Sequence, residues 1–298
     1  MGIDVHALQF LRWAAFKSNG LGSVATIGRQ NLHILPQDLS KIIKLPPDYE
    51  HLAFGEEFLR RFLGATQVRS FDKSGYEGAD YVVDMNDPVI SRDLYQTVFD
   101  GGCLEHIYNV PQALKNISSL CASGGQILHV LPANNYCGHG FWQFSPELFF
   151  SLYSEKNGYS ATEVFIADLA DQRNWYEVIK PAAGKRAVID SPNPLYVLCR
   201  TVKKGESSHS DVQQSDYIFA WEGRQAQAAP QTGLFNKFKT IAKQCKLGYL
   251  LGPVYLKAKT FFSSAALAIN GQPLARNPAL IKRNIHKLIY HLQRELNS

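Results

Sequence analysis

Glycines and acids recur just beyond short β-rich runs in this sequence, at the places where a parallel sheet presents its chemistry. Gly28 follows Ser23–Ile27, Asp72 follows Gln67–Phe71, Asp84 and Asn86 follow Ala79–Val83, and Asp100-Gly-Gly-Cys-Leu-Glu-His106 closes the run at Thr97–Asp100. A glycine after a first strand lets a ligand approach the backbone, and an acid at the end of the second can accept both hydroxyl protons of a ribose. Gly28 and Asp72 therefore form an ordered pair suited to a nucleoside, although each alone is an ordinary turn residue. A second cluster is Asn134, Asn135, Tyr136, His139, Trp142 and Gln143, on a loop that also holds Gly138 and Gly140. These side chains hydrogen-bond and stack as a sugar or heterocycle requires. His139, with an ordinary pKa of about 6.5, is the natural base for a hydroxyl. The competing reading of His139 is a loop histidine that caps a backbone carbonyl. Glu105 and His106 read first as residues of a helix start or of packing, and as ligands only in second place.

Other chemistries lack their signatures. Cys137 and His139 stand two apart, but no third orienting residue accompanies them and no G-x-S-x-G elbow occurs, which argues against a hydrolase. Neither G-x-G-x-x-G nor G-x-x-x-x-G-K-[ST] is present, which weakens a nicotinamide dehydrogenase and a phosphate-loop enzyme. The 5 cysteines are widely spaced and include no C-x-x-C pair, so no metal centre is read from the sequence and a reducing compartment is expected.

The elements that must carry these residues alternate in type. Seven strands are predicted at Ser23–Ile27, Gln67–Phe71, Ala79–Val83, Thr97–Asp100, Gln126–Leu131, Thr162–Ala167 and Leu195–Thr201. Helices are predicted around Gly55–Leu63, Val110–Leu120 and Pro146–Tyr153, the last capped by Ser145 with Pro146 as its first residue. The alternation predicts an α/β fold with a doubly wound, Rossmann-like, seven-stranded and mostly parallel sheet. Asp4 can cap a leading helix with Leu8, Leu11 and Ala15 on one face. Gly28 and Asp72 are 44 positions apart, against about 20 in the dinucleotide fingerprint, so Pro36–Glu50 reads as an insertion.

At 298 residues, 45% hydrophobic and 19% charged, the chain is too apolar for disorder to be its main state. Residues 1–204 read as the α/β domain, 205–231 as a polar linker or mobile loop, and 232–298 as a basic helical extension. Residues 231–298 carry 11 Lys and Arg against one acid, so a tail of net charge +10 follows a body of −5. Two sets, Leu234, Phe238, Ile241, Cys245 and Ile281, Ile285, Leu288, Leu292, step by 4, 3 and 4 and each predict a helical stripe, with Asn277-Pro278 opening the final helix. Packing on the domain is the default reading of the tail, contact with an anionic membrane surface the second, and sequence-specific nucleic acid the last. Asp4 and His6 stand where a signal peptide would be basic and then apolar. The expected location is therefore the cytoplasm, with the inner face of the membrane as the peripheral alternative.

One stretch carries a resemblance. Tyr95-Gln-Thr-Val-Phe-Asp-Gly-Gly-Cys-Leu-Glu-His-Ile107, followed by Ser123-Gly-Gly-Gln-Ile-Leu-His-Val-Leu-Pro132, resembles the fourth and fifth strands of class I S-adenosylmethionine-dependent methyltransferases. Phe144-Ser-Pro-Glu, Gly158-Tyr159 and the strand at Thr162 continue the likeness, which spans about Val24 to Lys204. Tyr76-Glu-Gly-Ala and Gly138-His-Gly-Phe-Trp-Gln-Phe-Ser-Pro-Glu147 resemble a bacterial subgroup associated with surface-polysaccharide or secondary-metabolite pathways. The resemblance implies S-adenosylmethionine as cofactor and a sugar or small-metabolite acceptor methylated on a hydroxyl or, second, an amino group. It implies that Gly28 borders the methionine portion, Asp72 holds the ribose, Asp84 approaches the adenine amino group, and Asp100 faces the methionine end and the acceptor. The family's first loop usually carries further glycines, whereas Gly28-Arg-Gln-Asn-Leu has one. The alternative is accordingly a catalytically inactive binding or scaffold module with a basic tail.

Overall fold

The computed structural model describes residues 2–182, 185–210, 212–227 and 274–296. In chain order the elements are Gly2–Ile3 (β1), Val5–Lys17 (α1), Gly22–Ile27 (β2), Asn31–Leu32 (β3), Pro36–Ile42 (α2), Gly55–Phe62 (α3), Ala65–Asp72 (β4), Tyr81–Val82 (β5) and Tyr95–Gly101 (β6). Then come Val110–Leu120 (α4), Cys121–Pro132 (β7), Pro146–Leu152 (α5), Tyr159–Asp168 (β8), Asn174–Val178 (β9), Leu195–Lys203 (β10), Ser215–Gln227 (α6), Leu280–Asn284 (β11) and Ile285–Leu296 (α7). All seven predicted strands form.

The main sheet has nine strands in the order β11-β9-β8-β10-β7-β6-β2-β4-β5. The chain runs outward from β2 through β4 to β5, then returns to lay β6 against the other side of β2, so the order reverses between β2 and β6. Strands β2, β4, β5, β6 and β7 are parallel, and β10 inserts antiparallel between β7 and β8. Both faces of the sheet are apolar because alternate residues serve opposite cores. Val98, Ile127 and Val197 pack with Ile117 and Phe149 on one side. Phe99, Leu128 and Leu198 pack with Phe10, Trp13 and Phe58 on the other. The leading helix is capped as expected, the Asp4 Oδ1 accepting the Ala7 N–H at 2.8 Å.

The C-terminal part differs from its prediction. Asn277-Pro278 does not open a helix. Residues Leu280–Asn284 pair antiparallel with β9 and extend the sheet, and the helix begins at Ile285. Ile281 therefore leaves the predicted stripe, while Ile285 and Ile289 are buried in the core that holds α1. The stretch read as a linker contains α6 and is tied to the domain where Ser215 N–H meets Glu147 Oε1 at 2.8 Å. The stripe at Leu234, Phe238, Ile241 and Cys245 lies outside the described residues. No helix among the described residues is long and apolar enough to cross a membrane.

Candidate functional site

A doubly wound sheet binds ligands beyond the carboxyl ends of its strands, where the order reverses; here that is the crevice between β2 and β6. Gly28, with φ of 74°, turns the chain off β2 and donates its N–H to Phe71 O at 2.7 Å. The Arg29 N–H then reaches Asp72 Oδ2 at 3.0 Å, and Ser74 N–H reaches Oδ1 at 3.2 Å. Gly28 and Asp72 are thus brought together, as the pairing of β2 with β4 requires. The Arg29 guanidinium points away from the crevice, 3.8 Å from the Phe54 ring and paired with Glu56 at 2.9 Å.

Gln30 fills the place that further glycines would leave open. Its side chain is buried, Nε2 donating to Ile27 O at 2.9 Å, and Oε1 has no partner among the described residues. It reaches across to β6, where a Cβ on Gly101 would stand 2.6 Å from Gln30 Oε1. Only a bare backbone at 101 accommodates that amide.

Asp100 does not face a ligand. It is fully buried; Oδ1 accepts the Cys103 and Leu104 N–H groups, and Oδ2 meets His129 Nδ1 at 2.9 Å. His129 Nε2 in turn lies 2.6 Å from the Tyr153 hydroxyl. A hydroxyl can donate to Nε2 only if the imidazole carries its proton on Nδ1, facing the carboxylate. The chain Asp100–His129–Tyr153 is closed and polar inside the sheet, so the expected role for Asp100 is corrected. Asp84 is also engaged. It caps Asn86 N–H at 2.9 Å and pairs with Lys73 at 2.9 Å, and the Asn86 N–H, with Lys73 beside it, holds its carboxyl down at about 2.

A cavity of about 230 Å³ opens beside the crevice, lined by residues that include His33, Gly102, Glu105, His139 and Tyr196. Gly28, Asp72 and Asp84 are not among its lining residues. Glu105 is strongly perturbed there: 2% of its side chain is exposed, Oε2 has no partner among the described residues, and burial, with Asp100 nearby, pushes the carboxyl up to about 8. His139 lies above it, Nε2 at 3.5 Å from Oε1, and His106 Nε2 is 3.8 Å from the same oxygen. His106 titrates below its ordinary range because of burial and of His139. The sequence reading placed Glu105 at a helix start or in packing and ranked it only second as a ligand. The signal was the meeting of two strand ends, Gly101-Gly102 of one and Gly138-His139-Gly140 beyond the next, since adjacent parallel strands deliver their following loops to one spot.

The other loop residues divide. Asn134 and Asn135 are structural, their amides donating to Ile189 O and to Ser191 O and Asn193 O. Tyr136 stacks on Tyr196 with ring centroids 5.5 Å apart. Trp142 donates to Ile107 O, and Trp142 and Gln143 line a separate apolar hollow of about 600 Å³ with Tyr108, Phe144 and Leu148. Another hollow, about 890 Å³ among Arg12, Phe16, Phe62 and Tyr290, adjoins Gly20 and Gly64 at the amino ends of β2 and β4, the wrong end of the sheet for ligand chemistry.

No protein-family model matches this sequence, and no curated protein matches it. Solved structures similar to it include a DhpI–SAH complex, at 16% identity over 65% of this chain and 81% of the other, TM-score 0.36. The N-methyltransferase NodS from Bradyrhizobium japonicum in complex with S-adenosyl-L-homocysteine is 11% identical over 66% of this chain and 84% of that one, TM-score 0.34. The StiE O-MT, residues 961–1257, is 15% identical over 75% and 81%, TM-score 0.37.

Proposed function

We propose that this chain is an S-adenosylmethionine-dependent methyltransferase that acts on a hydroxyl of a sugar or small metabolite. The observation that carries the reading is the switch-point crevice, where Gly28, Asp72 and the Gly101–Gly102 backbone converge between strands whose sequence carries the methyltransferase resemblance. The residues fit an adenosyl cofactor on two counts. Each Asp72 oxygen accepts one backbone N–H and keeps capacity for a ribose hydroxyl. Gln30 Oε1 is a buried acceptor that lacks a donor among the described residues, a deficit of about 1–3 kcal/mol that an ammonium group would relieve.

When bound, the cofactor supplies a methyl group on a sulfonium, displaced in line by the acceptor. What the chain contributes is alignment and exclusion of water. The 230 Å³ cavity holds the acceptor, His139 accepts its proton, and the buried Glu105 carboxyl beneath His139 shields the site from solvent. The acceptor is small because the cavity is small. A role in surface-polysaccharide or secondary-metabolite synthesis, and tail contact with an anionic membrane, extend this reading.

A second reading rests on the Gln30 amide, which occupies the crevice as a scaffold without cofactor would allow. Calorimetry separates the two. S-adenosylhomocysteine binds the folded wild-type chain, and Gln30→Ala, which removes the amide oxygen offered to its ammonium group, binds it more weakly. Absence of heat with both proteins overturns the enzyme and leaves the scaffold.

A further inference from the structure

Three side chains from two different strand ends converge on one point. Glu105 and His106 sit in the helical turn Leu104–His106 after β6, and His139 sits in the loop after β7. One nitrogen of each histidine and one oxygen of the glutamate all lie within 4.8 Å of one another. The nearer nitrogen of each histidine lies 3.5 or 3.8 Å from Glu105 Oε1, too long for a good hydrogen bond. The histidine rings meet edge to face, centroids 5.0 Å apart. We propose that Glu105, His106 and His139 bind one divalent transition-metal ion, whose open positions take an oxygen ligand from the adjoining cavity.

The spacing suits an ion. Bonds of about 2.1 Å to a tetrahedral ion put its ligand atoms about 3.4 Å apart, close to the 3.5 and 3.8 Å between Glu105 Oε1 and the two imidazole nitrogens. The donor set of two imidazoles and one carboxylate favours Zn²⁺, Co²⁺, Ni²⁺ or Fe²⁺ over Mg²⁺ and Ca²⁺, which prefer oxygen throughout. The Glu105 carboxyl is almost fully buried, with one oxygen unpartnered among the described residues, a state that a cation would compensate.

The geometry is also held in place. Phe141 N–H donates to Glu105 O at 2.6 Å, which fastens the His139 loop onto the residue beneath it. Gly140 has φ of 75°, and a Cβ there would lie 2.6 Å from Glu105 O and 2.9 Å from its Cγ. The glycine after His139 is therefore what allows the loop to close over the carboxylate. Gly102 plays the same part below, where a Cβ would stand 3.1 Å from Glu105 Oε1. Two of the three ligands line the 230 Å³ cavity, so the ion's remaining positions open toward it.

The test is a titration of the full chain, stripped with chelator, with Zn²⁺ by calorimetry and with Co²⁺ by visible absorption. One ion per chain is expected, with Co²⁺ bands more intense than those of the aqueous ion. His106→Ala and His139→Ala each weaken Zn²⁺ at least tenfold, as does Glu105→Gln, while His51→Ala on the surface leaves it unchanged. Both histidines are substantially exposed, so their variants fold even if Glu105→Gln does not. Lack of binding, or His106→Ala and His139→Ala affinities equal to wild type, overturns the site. The titration needs no methyl donor and the S-adenosylhomocysteine calorimetry needs no metal, so either reading can fail without the other.

Discussion

Glu105→Gln in chelator-treated protein offers a quantitative handle on the site. The carboxyl is almost entirely buried, and its pKa is pushed from an ordinary 4.5 to about 8 by burial first and by Asp100 second. The folded chain therefore keeps a proton through the neutral range that the unfolded chain releases. With the folded pKa above the unfolded one, the stability this group contributes is fully present below about pH 4.5 and is lost as the pH rises through about 8. At about 1.4 kcal/mol per pH unit the loss across that window is on the order of 4–5 kcal/mol. Glutamine keeps the shape and cannot ionise, so the variant escapes the loss. Urea unfolding of both proteins at pH 5, 6, 7 and 8 measures the difference, and every other titrating group shared by the two cancels. The variant gains on wild type with each step, most steeply between pH 5 and 7. Parallel curves would refute the argument, because they would mean that the Glu105 carboxyl is solvated or already compensated.

Gly140→Ala meets both a left-handed backbone and the Glu105 carbonyl, and lowers stability by about 1–2 kcal/mol or more. Gly138→Ala, with open space around its Cβ, changes it by less than about 0.5 kcal/mol; thermal melts of the two check the contrast. Tyr153→Phe strips the donor from His129 Nε2 and leaves a buried acceptor unpaired, which costs about 1–3 kcal/mol in urea unfolding. Asp72→Asn keeps one of the two loop contacts, turns an amide NH2 toward the other backbone N–H and removes the charge that would receive ribose hydroxyls, and weakens S-adenosylhomocysteine about tenfold by calorimetry. An unchanged affinity there would move the ribose elsewhere.

The seven principal strands were legible because each is a compact β-rich run bounded by turn residues, and helix α4 was legible to the residue. Strand β11 was not. Leu280-Ile-Lys-Arg-Asn284 has too few residues for a period to declare itself, and its pairing partner lies about 100 positions earlier in β9. The proline at 278 and the spacing of Ile281 to Leu292 fitted a helix locally, and only the open edge at β9 decided otherwise. In the site, the position of Asp100 at a strand end could be read, but its burial depends on His129 standing opposite it in the register of β6 and β7. The same limit hid Glu105. Its neighbours in sequence suggested packing, and its chemistry arises from His139 thirty-four positions later. Gln30 was visible as a departure from a glycine-rich loop, yet that its amide folds inward while Arg29 turns outward follows from the bare Gly101 on one side and the Phe54 ring on the other.

The most direct test of the central claim is a non-denaturing mass spectrum of the full chain incubated with S-adenosylhomocysteine. An adenosyl ligand held in the crevice between β2 and β6 predicts one ligand per chain for wild type, and for Asp72→Asn a smaller bound fraction at the same concentration. A spectrum showing only the bare chain, or equal occupancy in both proteins, contradicts it.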